Sequence, residues 1–225
     1  MKKTLQNNYA RIGLLGIGIL LTGILLTSMV YRGKLGERYQ PLNHFVSELG
    51  EVGISQWAGL FNGCLVVSSV CFVIFLLGLT QRMGGWLGGL LGVVGVALSV
   101  FGMMVGFVPM NHLQPHIFWA MGFFNLGLVF ISLFSAALVW GKYNLPKSLI
   151  LPGGLAWLAF ASFLFVLRFS QSSTGTAPLA EIIQKLAQPR PMVWTLALME
   201  WLAVGSILLW ILWVAWVMHR QGSAQ

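Results

Sequence analysis

A polar interval at residues 39–62, YQPLNHFVSELGEVGISQWAGLFN, organises the sequence on either side of it. The interval separates the first two hydrophobic runs and carries the acidic residues Glu48 and Glu51, with Glu37 just before it. Most of the remaining chain is hydrophobic run or short connector. We therefore expect any ligand or substrate chemistry to converge on this interval.

The composition is typical of a membrane protein. Hydrophobic residues make up 57% of the 225 residues and charged residues only 8%, against roughly 25% charged in a soluble domain. The net charge is +8, but the basic residues are scattered near the ends of hydrophobic runs rather than gathered in one patch. Such charges act as topology signals and lipid headgroup contacts. Membrane lipids are therefore the expected partners, and no nucleic-acid partner is expected.

Six hydrophobic runs are each close to the roughly 20 residues that cross a bilayer. They predict an all-α polytopic membrane protein, a single six-helix domain over residues 1–225, with both termini on the same side. The predicted spans are residues 12–30, 57–79, 84–107, 117–140, 149–167 and 192–218. The first outer loop is 31–56, and a link at residues 80–83 predicts a tight hairpin between spans two and three. Residues 178–188 have the pattern of an interfacial helix, or equally of a cap packed over the bundle.

The third span carries small residues at alternating steps of three and four. This heptad stripe lets a neighbouring helix approach closely, because packing in lipid depends on van der Waals fit. We interpret the stripe as a helix-packing seam on a central third helix, and a substrate groove beside the glycines is the alternative. The seam consists of Gly85, Gly88, Gly92, Gly95, Ser99, Gly102 and Gly106.

Loops one, three and five of a six-span protein lie on the same face, and most polar candidates fall on or near these loops. Ionisable residues inside spans are costly and therefore indicate function. The positive charges on the two faces are nearly equal in number, but glutamates offset those of the odd loops, which favours cytoplasmic termini. We thus expect one outward-facing polar pocket formed by His44, Ser47, Glu48, Asn62, His112, His116, Asn125, Arg168 and Glu200.

Several of these residues have a structural alternative to a functional role. Glu48 is expected to cap a short helix or to pair locally with Arg38. Glu200 and Arg168 form either a structural ion pair or part of a proton relay. The two asparagines are expected to bond between helices.

A metal site is a further alternative. His112 and His116 form an H-x-x-x-H pair, which on a helix can hold zinc, although Pro115 between them predicts a helix entry. His44 and Glu48 would have to complete the ligand set, since no cysteine or aspartate is available nearby. No cofactor is expected otherwise, and the sequence contains no G-x-S-x-G or phosphate-binding loop.

The run NHFVSELG at residues 43–50, followed by LFNG at 60–63 and GFVP at 106–109, resembles a bacterial family of six-span membrane proteins, domain of unknown function 998. The resemblance covers about residues 10–217. Glu48 stands where that family usually has Asp, which keeps the charge. A wider similarity links the family to the Frag, DRAM and Sfk group, some members of which are tied to lipid remodelling or membrane stress. The resemblance implies a bacterial inner membrane location and no assigned reaction.

Three hypotheses follow, and the sequence alone leaves open whether the protein is an enzyme. The leading one is a membrane protein whose outward-facing pocket binds a lipid or lipid-like ligand, with Arg168 meeting an anionic phosphate. The second is a metal-dependent membrane hydrolase that acts on a lipid ester or amide. The third is a non-catalytic scaffold or assembly subunit, either self-associating or in a membrane complex. A transporter is disfavoured because no internal repeat or polar inner path is evident.

Overall fold

In the computed structural model the described part of the chain forms six long helices. Each helix is long and apolar enough to cross a membrane, so the predicted six-span, all-α architecture is confirmed. The helices are α1 (Lys2–Val30), α2 (Ala58–Met83), α3 (Gly85–Phe107), α4 (Leu113–Val139), α5 (Ile150–Thr174) and α6 (Thr195–Ser223).

The structure describes the backbone of residues 2–140, 143, 145–174 and 189–223, and the side chains of residues 8–140, 143, 145–168 and 189–221. The predicted interfacial helix at residues 178–188 lies outside these ranges. Within them the chain contains no β-strand.

The six helices form a closed ring in chain order. Each helix packs on the next one, and α6 packs back on α1. The prediction that the third span is central is therefore wrong. The buried share of its most apolar stretch, 39%, equals that of α2, α4 and α5. The small residues of α3 allow close contact with its two neighbours in the ring rather than with a surrounding shell of helices.

The turn between α2 and α3 is shorter than predicted. Residues 80–83 continue α2, and Gly84 alone joins the two helices. Gly84 has a φ of 68°, and its N–H donates to the carbonyl of Thr80 at 3.1 Å. Only glycine adopts this backbone conformation without strain, so a helix C-terminus and a reversal of chain direction are achieved in one residue.

Along α3 the glycines face α2 and α4 at very short range. A Cβ added at Gly88 would lie 2.7 Å from the carbonyl oxygen of Thr80, and one at Gly95 would lie 3.2 Å from both Leu76 and Phe130. Gly85 differs from the rest of the stripe, because it has a φ of 64° and no neighbour within 4 Å of its added Cβ. A glycine at position 85 is therefore required by the turn and not by helix packing.

The two cysteines lie on the face of α2 that packs on α1. Both are free, and each faces a glycine of α1. An added Cβ at Gly16 would lie 2.8 Å from Cys71, and one at Gly23 would lie 2.6 Å from Cys64. The cysteines therefore act as small packing residues.

The α1–α2 connection, the α3–α4 connection and residues 189–194 just before α6 meet at one end of the ring, which we call the loop-1 end. The amide of Asn111 forms two hydrogen bonds with the backbone of Val52, at 2.6 and 2.7 Å. On the other side, the amide nitrogen of Asn43 donates to the carbonyl of Pro191 at 2.8 Å. The α1–α2 loop, called loop 1 below, is therefore fastened across the top of the ring. It contains a short 3-10 helix, Val46–Gly50.

Candidate functional site

A buried ion pair joins loop 1 to the start of α6. Glu48 is 0% exposed, and its two carboxylate oxygens accept hydrogen bonds of 2.9 and 2.6 Å from the guanidinium of Arg190. This bidentate geometry is the strongest arrangement available to a carboxylate and an arginine. It replaces the predicted local pair with Arg38, which is exposed.

Glu48 has two further donors. The N–H of Phe45 donates to it at 2.8 Å, as the third residue of a helix reaches back to its N-cap. The hydroxyl of Tyr31 lies 3.4 Å away. Burial raises the pKa of the Glu48 carboxyl, and the Arg190 guanidinium acts in the opposite direction. Because the guanidinium always keeps its proton, Glu48 faces a fixed positive charge at neutral pH.

Arg190 also binds the backbone of loop 1. Its guanidinium donates to the carbonyl of Asn43 at 3.0 Å and lies 5.9 Å from the centre of the Trp194 ring. The proline on each side of Arg190 restricts the backbone just before α6. The N–H of Trp194 in turn donates to the carbonyl of Leu42 at 2.9 Å. The segment before α6 thus holds loop 1 in place through both side-chain and backbone contacts.

His44 lies in an aromatic cage beside the ion pair. It is 1% exposed, and its ring centre is 5.5 Å from that of Tyr31 and 5.2 Å from that of Tyr39. The indole N–H of Trp201 on α6 donates to the hydroxyl of Tyr39 and to the carbonyl of His44, both at 3.1 Å. Burial, assisted by the charge of Arg190, lowers the pKa of His44 to about 4, so the imidazole is neutral at pH 7.

Glu200 of α6 binds loop 1 from below. One of its oxygens, Oε2, accepts the N–H of Val46 at 2.9 Å, which satisfies a donor at the start of the 3-10 helix. Glu200 is 8% exposed and does not pair with Arg168, which is exposed near the end of α5. The predicted ion pair between these two residues is therefore wrong. Glu200 lies on the inner face of the ring, whereas Arg168 points outward.

A cavity of about 110 Å³ lies inside the ring beneath loop 1. Helices α1, α2, α3, α4 and α6 all contribute to its wall, which is almost entirely apolar. The wall extends along α6 from Glu200 to Ile211, a distance of roughly 16 Å at 1.5 Å per residue. We call this space the central cavity. Val46 and Ser47 of loop 1 form its roof.

A smaller cavity of about 80 Å³, the side cavity, adjoins the first and reaches α5. The two cavities share three polar residues at the loop-1 end, namely Ser47, His116 and Glu200. Nδ1 of His116 lies 2.7 Å from the carbonyl oxygen of Val108 and must donate to it, so Nε2 of the neutral ring is an acceptor. Nε2 of His116 and Oε1 of Glu200 are the polar atoms of these two side chains that are not used in the bonds to Val108 and Val46.

The remaining sequence candidates lie elsewhere. His112, Asn125 and Arg168 are exposed on the outside of the ring, and the amide of Asn125 donates to the carbonyl of Met121 in its own helix. The prediction that these three residues line one pocket with the others is therefore wrong. The depth of a residue along a span does not determine which face of the helix it occupies. Asn62 donates to the carbonyl of Gly50 at 3.0 Å and so supports loop 1.

The structure does not assemble the alternative metal site. Within the described residues, His44, Glu48, His112 and His116 included, no three metal-ligating side chains come together. His44 and Glu48 belong to the cluster above the ring, His116 faces the cavities, and His112 is exposed. Pro115 lies in the first turn of α4. His112 therefore precedes the helix, whereas His116 lies within it.

Sequence reasoning missed several residues of the cluster around Glu48. In the sequence Arg190 is one of several basic residues near span ends, and no pattern singles out Tyr31, Tyr39 or Trp201. One signal was available for Arg190: an arginine between two prolines, immediately before a span and on the same face as Glu48. A buried carboxylate needs a cation as its partner, and loop five is one of the segments that can provide this cation.

Six apolar helices in a ring, with a polar cluster over an internal cavity, define an integral membrane protein of the helical polytopic class. The chain belongs to the family described as protein of unknown function (DUF998), whose model matches residues 19–217. No curated protein and no solved structure matches the chain. The similarity to the Frag, DRAM and Sfk group stays a prediction.

Proposed function

We propose that the protein binds a lipid-like amphiphile inside the ring, with the apolar chain in the central cavity and the polar head below loop 1. The observation that carries this proposal is the internal cavity itself. It combines a long apolar wall with a single polar end formed by Ser47, His116 and Glu200. Ligand sites in proteins have this character, with apolar walls and a few polar groups that fix orientation.

The apolar wall suits a hydrocarbon chain. Aromatic and branched side chains surround the cavity, including Phe61, Phe72 and Trp210. A void without partner atoms loses dispersion contacts, and an acyl or isoprenoid chain would restore them. The wall runs roughly 16 Å along α6, so the elongated cavity suits the end of an extended chain rather than a compact solute.

The polar end favours a head that donates hydrogen bonds. Nε2 of His116 is an acceptor, and the carboxyl group of Glu200 lies at the same end of the cavity. A hydroxyl or amine on the ligand can donate to Nε2 of His116 and can also bond to the carboxyl group of Glu200. Glu200 would then contribute to ligand binding and to loop docking with different oxygens.

Loop 1 closes this end of the ring. Its 3-10 helix roofs the cavity and is fastened by the Glu48–Arg190 pair and by Glu200. The side cavity, which reaches Phe163 and Leu167 of α5, offers a lateral route between α4 and α5 for a ligand from the bilayer. Entry from the membrane would therefore not require loop 1 to open.

Two adjacent leucines of α6 provide a matched test. Leu208 lines the central cavity and is buried, whereas Leu209 is 47% exposed on the outside of the ring. We expect the purified wild type and Leu209→Trp to retain the same bound lipid by native mass spectrometry in mild detergent. Leu208→Trp fills the cavity and should lose most of it.

Equal retention by both variants, or no retained amphiphile in the wild type after purification from membranes and after reconstitution, would refute the proposal. The thermal midpoint of each variant reports whether the ring still forms. If Leu208→Trp does not fold, Ala120→Phe fills the region that the two cavities share and is compared with Gly205→Phe, which meets no neighbour.

For orientation we propose that the loop-1 end faces outward from a bacterial inner membrane and that the termini are cytoplasmic. The charge distribution of the sequence supports this assignment. In a cysteine-free background, Lys34→Cys should react with an impermeant maleimide in intact cells, and Ser223→Cys should react only after lysis. The reverse pattern would overturn the orientation without affecting the binding proposal.

A further inference from the structure

Apart from the central and side cavities, a further pocket lies on the outer side of the ion pair and is separated from the central cavity by loop 1. This loop pocket has a volume of about 290 Å³ and is lined by Glu37, Arg38, Gln40, Asn43, His44 and Arg190, among others. Most of its lining residues are polar or charged, whereas those of the central cavity are mostly apolar. Neither the family nor the proposed amphiphile assigns it a role.

The hydrogen bonds of His44 determine its tautomer. Its Nδ1 lies 2.7 Å from Oδ1 of Asn43, whose amide nitrogen is committed to the carbonyl of Pro191. Nδ1 must therefore carry the proton, and the N–H of Gln40, 3.4 Å away, is a weaker competitor. It follows that Nε2 of the neutral ring is an acceptor.

That acceptor is buried and unsatisfied. Nε2 of His44 has no hydrogen-bond partner within the described structure, and a second acceptor, Oε1 of Glu37, lies 3.7 Å away. Two acceptors this close repel each other unless a donor lies between them. Protonation of the imidazole does not supply the donor at pH 7, because burial lowers the pKa of His44 to about 4.

Glu37 is the side chain of this pocket that a cationic group on a ligand would meet. Glu37 and Glu48 are two carboxylates that face one guanidinium, that of Arg190, which is bidentate to Glu48 and 3.6 Å from Glu37. Oε2 of Glu37 accepts the N–H of Leu35 at 2.9 Å, which leaves Oε1, beside His44, for a donor on a ligand. Nearby Lys34 is engaged by Glu51 at 2.9 Å.

An anion site adjoins the cation site. Arg38 lines the same pocket, is exposed, and has no ion-pair partner in the described part of the chain. We propose that the loop pocket binds a phosphorylated primary amine, with the ammonium group between Glu37 and His44 and the phosphate at Arg38. A phosphoethanolamine lipid headgroup and a free phosphorylated amine share this chemistry.

Water-soluble headgroups test the assignment on the purified full chain. We expect O-phosphoethanolamine to bind measurably by isothermal titration calorimetry. Phosphocholine, whose quaternary nitrogen has no N–H, should bind at least tenfold more weakly. Ethanolamine without phosphate should also bind more weakly, and Arg38→Gln should weaken only the phosphorylated probe. Arg32→Gln, an exposed arginine outside the pocket, is the matched charge control.

Variants of the acceptors complete the test. Glu37→Gln keeps the shape of a partly exposed side chain and should weaken O-phosphoethanolamine at least tenfold, as should His44→Gln if it folds. Leu208→Trp, which alters only the central cavity, should leave this binding intact. Equal affinity for phosphocholine, no binding of O-phosphoethanolamine, or wild-type affinity in Glu37→Gln would each overturn the proposal.

Nanodiscs distinguish the two sources of the ligand. If the soluble probe binds in phosphatidylcholine discs but is excluded in phosphatidylethanolamine discs, the headgroup of a membrane lipid occupies the pocket. Undiminished binding of the soluble probe in both discs assigns the pocket to a free phosphorylated amine.

Discussion

Glu48 and Arg190 lie 142 residues apart in the chain, and their side chains meet in two hydrogen bonds of 2.9 and 2.6 Å with Glu48 fully buried. Replacing Arg190 by Gln leaves a buried carboxylate without its cation, which typically costs about 3–5 kcal/mol. We expect a large fall in the thermal midpoint of the detergent-solubilised protein.

The double variant Glu48→Gln/Arg190→Gln tests the coupling of the pair. Its destabilisation should be clearly smaller than the sum of those of the two single variants, because the double variant removes both charges of the pair and leaves neither one unpaired. Arg38→Gln is the control for loss of a positive charge from loop 1. Additive effects of the two single changes would show that the pair contributes little to docking of the loop.

The neutral state of His44 predicts a pH dependence of stability. The imidazole has a pKa near 6.5 when unfolded and about 4 when folded, so the unfolded chain binds more protons between these values. Stability is therefore lost as the pH falls from 6.5 towards 4, by on the order of 3 kcal/mol in full.

The measurement is the drop in thermal midpoint between pH 7 and 5, compared for wild type and His44→Gln. The raised pKa of Glu48 acts in the opposite sense but is common to both proteins. Glu37, whose pKa is lowered, contributes only below this range. A drop of the same size in His44→Gln would contradict the assignment to His44.

Two neighbouring glycines of α3 provide a packing test. Gly88→Ala places a Cβ 2.7 Å from the carbonyl oxygen of Thr80, so a backbone must shift, at a typical cost of about 1–3 kcal/mol. Gly89→Ala meets no neighbour and should be neutral or slightly stabilising, because alanine is the better helix former. Equal thermal midpoints for the two variants would show that α2 and α3 are not packed this closely.

Glu200 is expected to hold the 3-10 helix of loop 1 through one hydrogen bond. Glu200→Leu leaves the buried N–H of Val46 without an acceptor, which costs about 1–3 kcal/mol. Glu200→Gln keeps a carbonyl oxygen in place. Hydrogen exchange of the peptide that contains Val46 should accelerate in Glu200→Leu and stay near wild type in Glu200→Gln. Unchanged exchange in the leucine variant would remove Glu200 from the docking of the loop.

The fold could be predicted from sequence because crossing a membrane leaves a local signal. Runs of about 20 apolar residues predict spans, and alternation of sides places the odd loops together. The contacts of Asn111 and Asn43 agree with that placement. The one-residue turn at Gly84 was missed because Thr80, whose hydroxyl bonds within its own helix, ends the hydrophobic run before the helix ends.

The site could be predicted only in part, since spans are apolar on all sides. Sequence position gives the depth of Asn125 and Glu200, but no polar face distinguishes the inward side of a span from the lipid side. Glu200 lines the cavities and Asn125 is exposed. The partner of Glu48 was missed for a different reason. A salt bridge between distant segments has no periodicity that a sequence pattern can reveal.

The closed ring has a consequence for biogenesis. Loop 1 leaves the ribosome long before Arg190 and Glu200, yet its buried carboxylate and its 3-10 helix depend on both. Until the last span is inserted beside α1, Glu48 has no guanidinium and the roof of the cavity has no anchor. Chains that terminate before α6 therefore expose an unpaired acid at the membrane surface, a defect that quality-control proteases can recognise.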